Sequence, residues 1–235
     1  MTSPFTDALL NARLPVVMEI KPTDGHGAGL LAGRTVAELV AAYARAGAPC
    51  LSVVTGSWFG GDERLLAEAA ATTRLPLLRK DFITRRSQLL RSRELGASAV
   101  LLTAGLLPRE SLHRLTEECL RLGLTPFVEV TDEAEAERVP FGDRAVVAVA
   151  NKDIGTRERG PGDLNRGPAL LPAVRATGTP CPVSASGITT PEQGAGLLRA
   201  GFAGLLVGTG LLRAGSPEEW AAELDRLLRT PAARP

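Results

Sequence analysis

The chain contains 235 residues, of which 44% are hydrophobic and 23% are charged, and its formal net charge is +1. A chain of this length can bury a large core without help from a metal ion or a disulfide. The balanced charge and the aromatic content of only 4% argue against a nucleic-acid partner and against a membrane-surface partner. Both kinds of partner depend on an excess of basic residues.

The cysteines and the N-terminal segment predict an intracellular location. Cys50, Cys119 and Cys181 are far apart and odd in number, which is typical of reduced core thiols. Residues 1–15 include Asp7 and lack both a basic region and a continuous apolar stretch, so we expect no signal peptide. No apolar run approaches the ~18–20 residues that a membrane-spanning helix needs. We therefore predict a cytoplasmic protein.

Eight short apolar segments alternate with eight amphipathic segments along the chain. The apolar segments lack a polar alternation, as expected of strands buried on both faces. They predict strands at 15–20, 50–54, 76–79, 98–103, 125–130, 145–150, 181–185 and 203–207. The amphipathic segments predict helices at 35–45, 62–72, 84–95, 108–122, 132–138, 164–176, 190–200 and 216–228. Thr190 and Ser216 are each followed by proline and glutamate, a pattern typical of helix N-termini.

The even alternation of strand and helix predicts an α/β protein of the (β/α)8 TIM barrel type. No linker or change of composition divides the chain, so we expect a single domain over residues 1–235. The alternative is an open doubly wound sheet, but no GxGxxG follows the first predicted strand. In a closed barrel, functional side chains lie at the carboxyl ends of the strands.

Charged residues stand at several of these strand ends. Glu19 and Lys21 are two residues apart and so share one side of the first strand. Lys80 follows the third strand, and Glu129 interrupts the apolar fifth strand, where an unpaired carboxylate would be costly. These four residues predict an acid–base cluster in which a lysine donates protons. Ion pairs that merely close the barrel mouth are the structural alternative.

The ends of the seventh and eighth strands, residues 184–188 and 207–210, are rich in glycine. Glycine allows the backbone to approach an anion, and barrels often bind phosphate at this position. Simple tight turns are the alternative interpretation. The first loop, residues 22–29, carries three glycines and His26, and it predicts either a mobile lid or an ordinary solvent loop. His113 lies in a predicted helix away from these loops, and no group of residues has a metal-ligand spacing.

Together, these segments resemble the indole-3-glycerol phosphate synthase family. The resemblance extends from about Pro15 to Leu228, and its most specific parts are RKDF at 79–82 and VEV at 128–130. The matching segments are MEIK at 18–21, LSVVT at 51–55, FGG at 59–61, LLRKDFI at 77–83 with Gln88, Gly96-Ala97 leading to Leu101-Leu102, FVEV at 127–130, ANKDI at 150–154, SASGI at 184–188 and VGT at 207–209.

The resemblance implies an enzyme of tryptophan biosynthesis that uses no metal and no cofactor. Such an enzyme cyclises 1-(2-carboxyphenylamino)-1-deoxyribulose 5-phosphate to indole-3-glycerol phosphate, with loss of carbon dioxide and water. By resemblance, Lys80 is the general acid that activates the ketone. Glu129 serves proton transfer during ring closure and dehydration. Glu19 and Lys21 relay protons and contact the substrate.

The same resemblance implies the binding residues and the partners. It assigns substrate binding to Asn151, Lys152 and Ser186, and phosphate binding to the residues that follow strands 7 and 8, which are Gly187, Gly208 and Thr209. The expected partner is a small phosphorylated molecule, with no nucleic acid and no membrane. We expect a monomer or a weak homo-oligomer.

The chain also departs from the family pattern, as a divergent member would. Ala150 stands in place of an asparagine, Lys152 in place of an arginine and Ala185 in place of a glutamate. Residues 24–27, DGHG, stand where the family has Ser-Pro-Ser, and the extension before the first strand is shortened to about fourteen residues.

Three hypotheses therefore remain open. The first is the family's own reaction. The second is related chemistry on a different phosphorylated, anthranilate-like substrate in specialised metabolism. The third is an inert barrel that binds phosphate esters. The presence of all four acid–base residues argues against the inert barrel.

Overall fold

The computed structural model describes residues 3–153, 160 and 162–230. Eight parallel strands pair in sequence order, and β1 pairs with β8 to close the barrel. The strands are β1 (Val16–Ile20), β2 (Cys50–Val54), β3 (Leu77–Lys80), β4 (Ala99–Thr103), β5 (Thr125–Val130), β6 (Val146–Ala150), β7 (Cys181–Ala185) and β8 (Gly204–Val207). The predicted TIM barrel is confirmed.

The helices follow the strands and form the outer layer, except for the first helix, which precedes β1. They are α1 (Pro4–Leu10), α2 (Val36–Arg45), α3 (Glu63–Thr72), α4 (Arg86–Glu94), α5 (Arg109–Arg121), α6 (Glu133–Ala136), α7 (Arg166–Ala176), α8 (Pro191–Ala200), α9 (Thr209–Arg213) and α10 (Pro217–Arg229). Several predicted helix starts are in fact N-cap residues, whose side chains accept a backbone N–H from the first turn. Thr35, Asp62, Thr190 and Ser216 do this for α2, α3, α8 and α10.

Each strand buries both of its faces, which explains the continuous apolar runs in the sequence. One row of side chains packs inside the barrel, and the other row packs against the helices. On β4, for example, Ala99 and Leu101 belong to the interior cluster, whereas Val100 and Leu102 belong to the outer cluster. The alternation therefore assigns Thr103, the last residue of β4, to the interior row at the carboxyl end.

Helix α1, which was not among the predicted helices, closes the barrel at the end where the strands begin. Phe5 and Leu9 are fully buried and belong to the interior cluster. The Phe5 ring meets the Phe127 ring edge-on, with 6.2 Å between their centroids. A Cβ on Gly204, the first residue of β8, would lie 2.9 Å from Leu9, so a larger residue there would displace α1. The amino end of the barrel is therefore filled, and an open mouth is left at the carboxyl end.

The three cysteines are buried and unpaired, as predicted. Burial raises the pKa of each of the Cys50, Cys119 and Cys181 thiols to about 12. In the part of the chain that the structure describes, no helix is long and apolar enough to cross a membrane.

Substitution of Phe5 tests the contribution of α1 to stability. Phe5→Ala should lower the free energy of unfolding by roughly 3–5 kcal/mol, because it opens a cavity beside Phe127. Leu10 lies on the same helix but is 39% exposed, so Leu10→Ala should change stability by no more than about 0.5 kcal/mol. Urea denaturation monitored by circular dichroism measures both values. Equal effects of the two substitutions would show that α1 is not part of the core.

Candidate active site

A cavity of about 210 Å³ opens at the carboxyl ends of the strands. It lies between the end of β1, the end of β3 and the loops that follow β6, β7 and β8. Its lining residues are Glu19, Lys21, Lys80, Lys152, Gly162, Ser186, Gly187, Ile188, Thr189, Leu206, Gly208, Thr209 and Arg213. Most of the residues that the sequence predicted as a site therefore meet in one cavity.

Glu19 is the centre of the charged cluster and is only 2% exposed. One of its carboxylate oxygens, Oε2, lies 3.4 Å from Lys80 Nζ, and the other, Oε1, lies 3.8 Å from Lys21 Nζ. Ser52 Oγ donates a hydrogen bond of 3.3 Å to Oε2. A carboxylate this deeply buried needs such partners, because burying an unpaired charge costs several kcal/mol of stability. Glu19 thus fixes the positions of two ammonium groups at the mouth.

All three lysines of the chain line this cavity. The sequence contains 27 lysines and arginines, and only Lys21, Lys80 and Lys152 are lysines. Arginine supplies the positive charge everywhere else, so simple charge does not require lysine at these positions. Unlike the guanidinium group, which keeps its proton, an ammonium group can release one. The rarity of lysine is visible in the sequence, but it was not among the signals used above to predict the site.

Glu129 and Thr103 lie side by side on β5 and β4. They are register partners in the parallel pair, and both belong to the rows that face the barrel interior. Glu129 is 4% exposed, and so is Thr103. Among the described residues, the Thr103 hydroxyl has no hydrogen-bond partner. Glu129 therefore lies near the carboxyl end of β5 beside the unsatisfied Thr103 hydroxyl, and neither residue is among those that line the cavity.

The RKDF segment divides between the two faces of β3. Lys80 faces the cavity, whereas Arg79 points outward and is almost fully buried beneath the helices. The Arg79 guanidinium donates to Asp81 Oδ2 and to Glu63 Oε1, each at 2.9 Å, and to Thr55 Oγ1 at 3.1 Å. These bonds anchor the end of β3 on its outer side, and so they help to hold Lys80 in position on the inner side.

Asn151 supports the turn that follows β7. It is fully buried, and its amide nitrogen donates to Ser184 Oγ at 2.9 Å and to the carbonyls of Ala185 and Ser186 at 3.0 Å. Ser186 and Gly187 follow in left-handed conformations, with φ of 64° and 76°. Such a conformation is unfavourable for serine, so the turn depends on outside support. Asn151 contacts the base of this turn and is not among the residues that line the cavity.

Gly208 links the turn after β8 to the acidic centre of the site. A Cβ at this position would lie 2.4 Å from Glu19 Oε1, so no other residue fits without displacing the carboxylate. Gly208 also precedes α9, which begins at Thr209 and was not predicted as a helix. Together with Ser186 and Gly187, these residues form one wall of the cavity.

The first loop folds back on itself around Asp24. Thr23 and Gly29 form an antiparallel bridge, and Asp24 Oδ1 accepts the backbone N–H groups of His26 and Ala28 at 2.9 Å each. These hydrogen bonds lower the pKa of Asp24 from its usual value, with the Ala28 N–H making the largest contribution. The His26 side chain is exposed and does not line the cavity. The mobility predicted for this loop stays a prediction.

An aromatic pair borders the mouth near β2 and β3. The rings of Trp58 and Phe82 lie 4.1 Å apart, and the Lys21 ammonium lies 4.8 Å from the centre of the Phe59 ring. His113 packs on Phe141 in the outer layer, away from the site, as expected. Among residues 3–153, 160 and 162–230, no three His, Cys, Asp or Glu side chains lie close enough to hold a metal ion.

The unsatisfied hydroxyl of Thr103 leads to a stability prediction. Thr103→Val keeps the shape of the side chain and removes the hydroxyl, so it should raise the free energy of unfolding by roughly 1 kcal/mol. Thr116 is the matched control, because it is also buried but donates to the Leu112 carbonyl at 2.8 Å. Thr116→Val should lower stability by about 1 kcal/mol, because it removes an existing hydrogen bond. Chemical denaturation measures both variants, and a loss of stability in Thr103→Val would contradict the assignment.

Comparison with known proteins adds independent information. The family model described as indole-3-glycerol phosphate synthase matches residues 1–224. The indole-3-glycerol phosphate synthase of Pyrococcus furiosus is 35% identical over 206 residues, covering 87% of this chain and 89% of that protein. The Aquifex aeolicus protein of the same name is 30% identical over 224 residues, covering 94% of this chain and 84% of that protein.

A solved structure, the 3-hexulose-6-phosphate synthase of Salmonella typhimurium, superposes with a TM-score of 0.69. The superposition covers 91% of this chain and 97% of that one, but the two sequences are only 12% identical, so the likeness concerns the fold alone. The family model and the curated relatives confirm the resemblance drawn from the sequence motifs. The chain belongs to the indole-3-glycerol phosphate synthase family.

Proposed function

We propose that this protein converts 1-(2-carboxyphenylamino)-1-deoxyribulose 5-phosphate to indole-3-glycerol phosphate, carbon dioxide and water. One observation carries the proposal: Glu19 holds two ammonium groups beside a glycine-lined wall in a single cavity. The reaction needs a proton donor at a ketone and a separate place for a phosphate. The cavity offers both within one small volume.

The arrangement of the strands suggests how the substrate lies in the mouth. Its phosphate fits the wall formed by Gly187, Gly208 and Thr209, between β7 and β8. In a ring of eight strands, β3 and β4 lie opposite β7 and β8. A substrate anchored by its phosphate would therefore extend its aromatic half towards β3 and β4. The ketone would then lie between these ends, within reach of Lys80.

The first chemical step forms the new ring. The aromatic carbon that bears the carboxylate attacks the ketone carbon, and Lys80 protonates the ketone oxygen as it becomes a hydroxyl. A positioned acid lowers the barrier because the oxygen would otherwise develop a full negative charge. The carboxylate then leaves as carbon dioxide, and the electron pair of its broken bond restores the aromatic ring.

The second step removes water. The new hydroxyl leaves with a proton, and the neighbouring CH₂ group loses a proton, so that the double bond of the indole forms. This step needs both an acid and a base at different positions. Lys80 on β3 and Glu129 on β5 are separated by one strand, which puts their backbones roughly 10 Å apart, so they can approach a small substrate from two different directions. We assign the proton transfers of this step to these two residues.

Glu19 and Lys21 support the chemistry from β1. Glu19 compensates the charge of both ammonium groups, so Lys80 can give up a proton and recover one without leaving its position. Lys21 contacts the same carboxylate and also lines the cavity, which makes it suited to relay protons and to contact the substrate.

The predicted binding residues play different parts in this proposal. Lys152 and Ser186 line the cavity, and we assign substrate contacts to them. Asn151 acts through the turn at Ser186, since its amide nitrogen donates to Ser184 Oγ and to the Ser186 carbonyl. Its Oδ1 is buried and has no hydrogen-bond partner among the described residues. The three buried thiols fit a cytoplasmic location, and a monomer or a weak homo-oligomer remains our expectation for the assembly.

Turnover of the proposed substrate is the direct test. The purified protein should produce indole absorbance and fluorescence without added metal. Lys80→Met should lower kcat by at least about 100-fold, because a general acid typically contributes 10²–10⁴. Binding of inorganic phosphate to this variant should change little, since the phosphate wall lies on β7 and β8.

Arg121→Met is the matched control, because it also removes one positive charge but does so on the outside of the barrel, where Arg121 pairs with Glu118. This variant should keep the wild-type rate. A normal kcat in Lys80→Met would remove Lys80 from the mechanism, and a wild-type protein that binds phosphate without forming indole would contradict the proposed reaction.

A related substrate is the second candidate, favoured by two buried alanines. Ala150 and Ala185 end β6 and β7, are at most 1% exposed, and stand where the family pattern has an asparagine and a glutamate. These changes remove two polar groups from the mouth, and Lys152 grips a carboxylate less specifically than an arginine would. The proton-transfer residues remain, so the same chemistry could serve a different aromatic half.

A comparison of substrates separates the two candidates. If the family reaction is the function, kcat/KM for the unsubstituted substrate should exceed kcat/KM for analogues that carry an additional polar group on the aromatic ring. A higher kcat/KM for a substituted analogue would favour the second candidate. Both values come from the same indole fluorescence assay.

A further inference from the structure

We propose that Arg213 binds the substrate phosphate and that Asp24, on the first loop, positions its guanidinium group for this purpose. This inference rests on the proposed function, because it concerns the phosphate of the same substrate. It adds a side-chain ligand to a subsite that the sequence motifs attribute to glycines and Thr209.

The position of Arg213 on α9 carries the first part of the argument. Arg213 is four residues after Thr209 on the same helix, so both lie on one face. Both line the cavity, together with Gly187 and Gly208. The other positive charges of the cavity lining are the three lysines, and Glu19 already holds Lys21 and Lys80. Arg213 thus brings an additional positive charge directly to the phosphate wall.

The chemistry of the guanidinium group carries the second part. It presents N–H donors in a planar fork that matches two oxygens of a phosphate. Within the described part of the chain, Arg213 makes one ion pair, in which NH2 lies 2.5 Å from Asp24 Oδ2. That contact uses one edge of the fork and leaves other N–H groups to donate to an anion in the cavity.

Asp24 is well placed to hold this arginine. Its side chain is 12% exposed, whereas that of Arg213 is 59% exposed. Its Oδ1 is held by the backbone N–H groups of His26 and Ala28, and these hydrogen bonds also lower its pKa. An exposed arginine otherwise samples many conformations. Fixing it in one conformation costs entropy, and this cost opposes phosphate binding. By fixing one edge of the fork, Asp24 reduces that loss before the phosphate arrives.

A second contact joins the same two segments. Arg34 donates to the carbonyls of Leu31 and Leu30 and also to the carbonyl of Leu212, the residue before Arg213. The segment between β1 and α2 is therefore connected to α9 by two side chains: Asp24 pairs with Arg213, and Arg34 donates to the backbone at Leu212. A substitution in this segment should change the affinity for phosphate, and bound phosphate should in turn stabilise the segment.

The test is the binding of inorganic phosphate, measured by calorimetry on the full chain. Arg213→Gln should raise the Kd roughly tenfold, as expected for the loss of a charge-assisted hydrogen bond. Arg213→Lys should give a smaller increase, because it keeps the charge but loses the fork. Arg226→Gln is the matched control: this side chain is 62% exposed and pairs with Glu223 on the outside of the barrel, so its Kd should match wild type.

Asp24→Asn tests the positioning role. Asparagine can still accept the N–H groups of the loop, but it loses the charge that holds Arg213, so the Kd should rise about two- to threefold. Adding this substitution to Arg213→Gln should cause no further weakening, since Asp24 acts through Arg213. Additive weakening, or tighter binding in Asp24→Asn alone, would contradict the positioning role.

An unchanged Kd in Arg213→Gln, or an equal rise in Arg226→Gln, would overturn the inference. These outcomes are distinct from failure of the proposed function, which would appear as absence of indole formation by a wild-type protein that still binds phosphate.

Discussion

The site depends on one buried carboxylate that is shared between two ammonium groups. Glu19 is almost inaccessible to water, and its two oxygens face Lys80 and Lys21. Removing Glu19 would take from two buried ammonium groups the carboxylate that they share, which typically costs several kcal/mol. The cluster therefore affects stability as well as chemistry, and neighbouring residues of the mouth must leave room for it. Gly208 shows this most directly, because any side chain there would occupy the position of Glu19 Oε1.

The barrel supplies the cluster with a rigid frame. Neighbouring parallel strands fix the separations of Glu19, Lys80 and Glu129, and α1 fills the opposite end of the barrel with Phe5 and Leu9. The outer side of β3 is anchored by Arg79 under the helices. The proposed proton-transfer groups are thus held by regular structure, whereas the proposed phosphate ligands lie on segments that Asn151 and Asp24 support.

The sequence was enough to predict the strands, the barrel and most of the site. Strands buried on both faces produce unbroken apolar runs, and a glutamate within such a run, as at Glu129, is conspicuous. The sequence could not predict α1 or α9, because their stability comes from packing against the barrel. It also could not reveal the contact between Asp24 and Arg213, which are far apart in the chain and meet only because β1 and β8 are neighbours. The restriction of lysine to the mouth was visible in the sequence but became meaningful only with the cavity.

Nuclear magnetic resonance of protein labelled at the lysine side chains tests the central claim most directly. The chain has three lysines, so each signal reports on the mouth. The ketone-reduced analogue of the proposed substrate should shift all three signals, and Glu19→Gln should shift those of Lys21 and Lys80 while leaving that of Lys152 nearly unchanged. Signals that do not respond to the analogue, or Lys21 and Lys80 signals that do not respond to Glu19→Gln, would contradict the account.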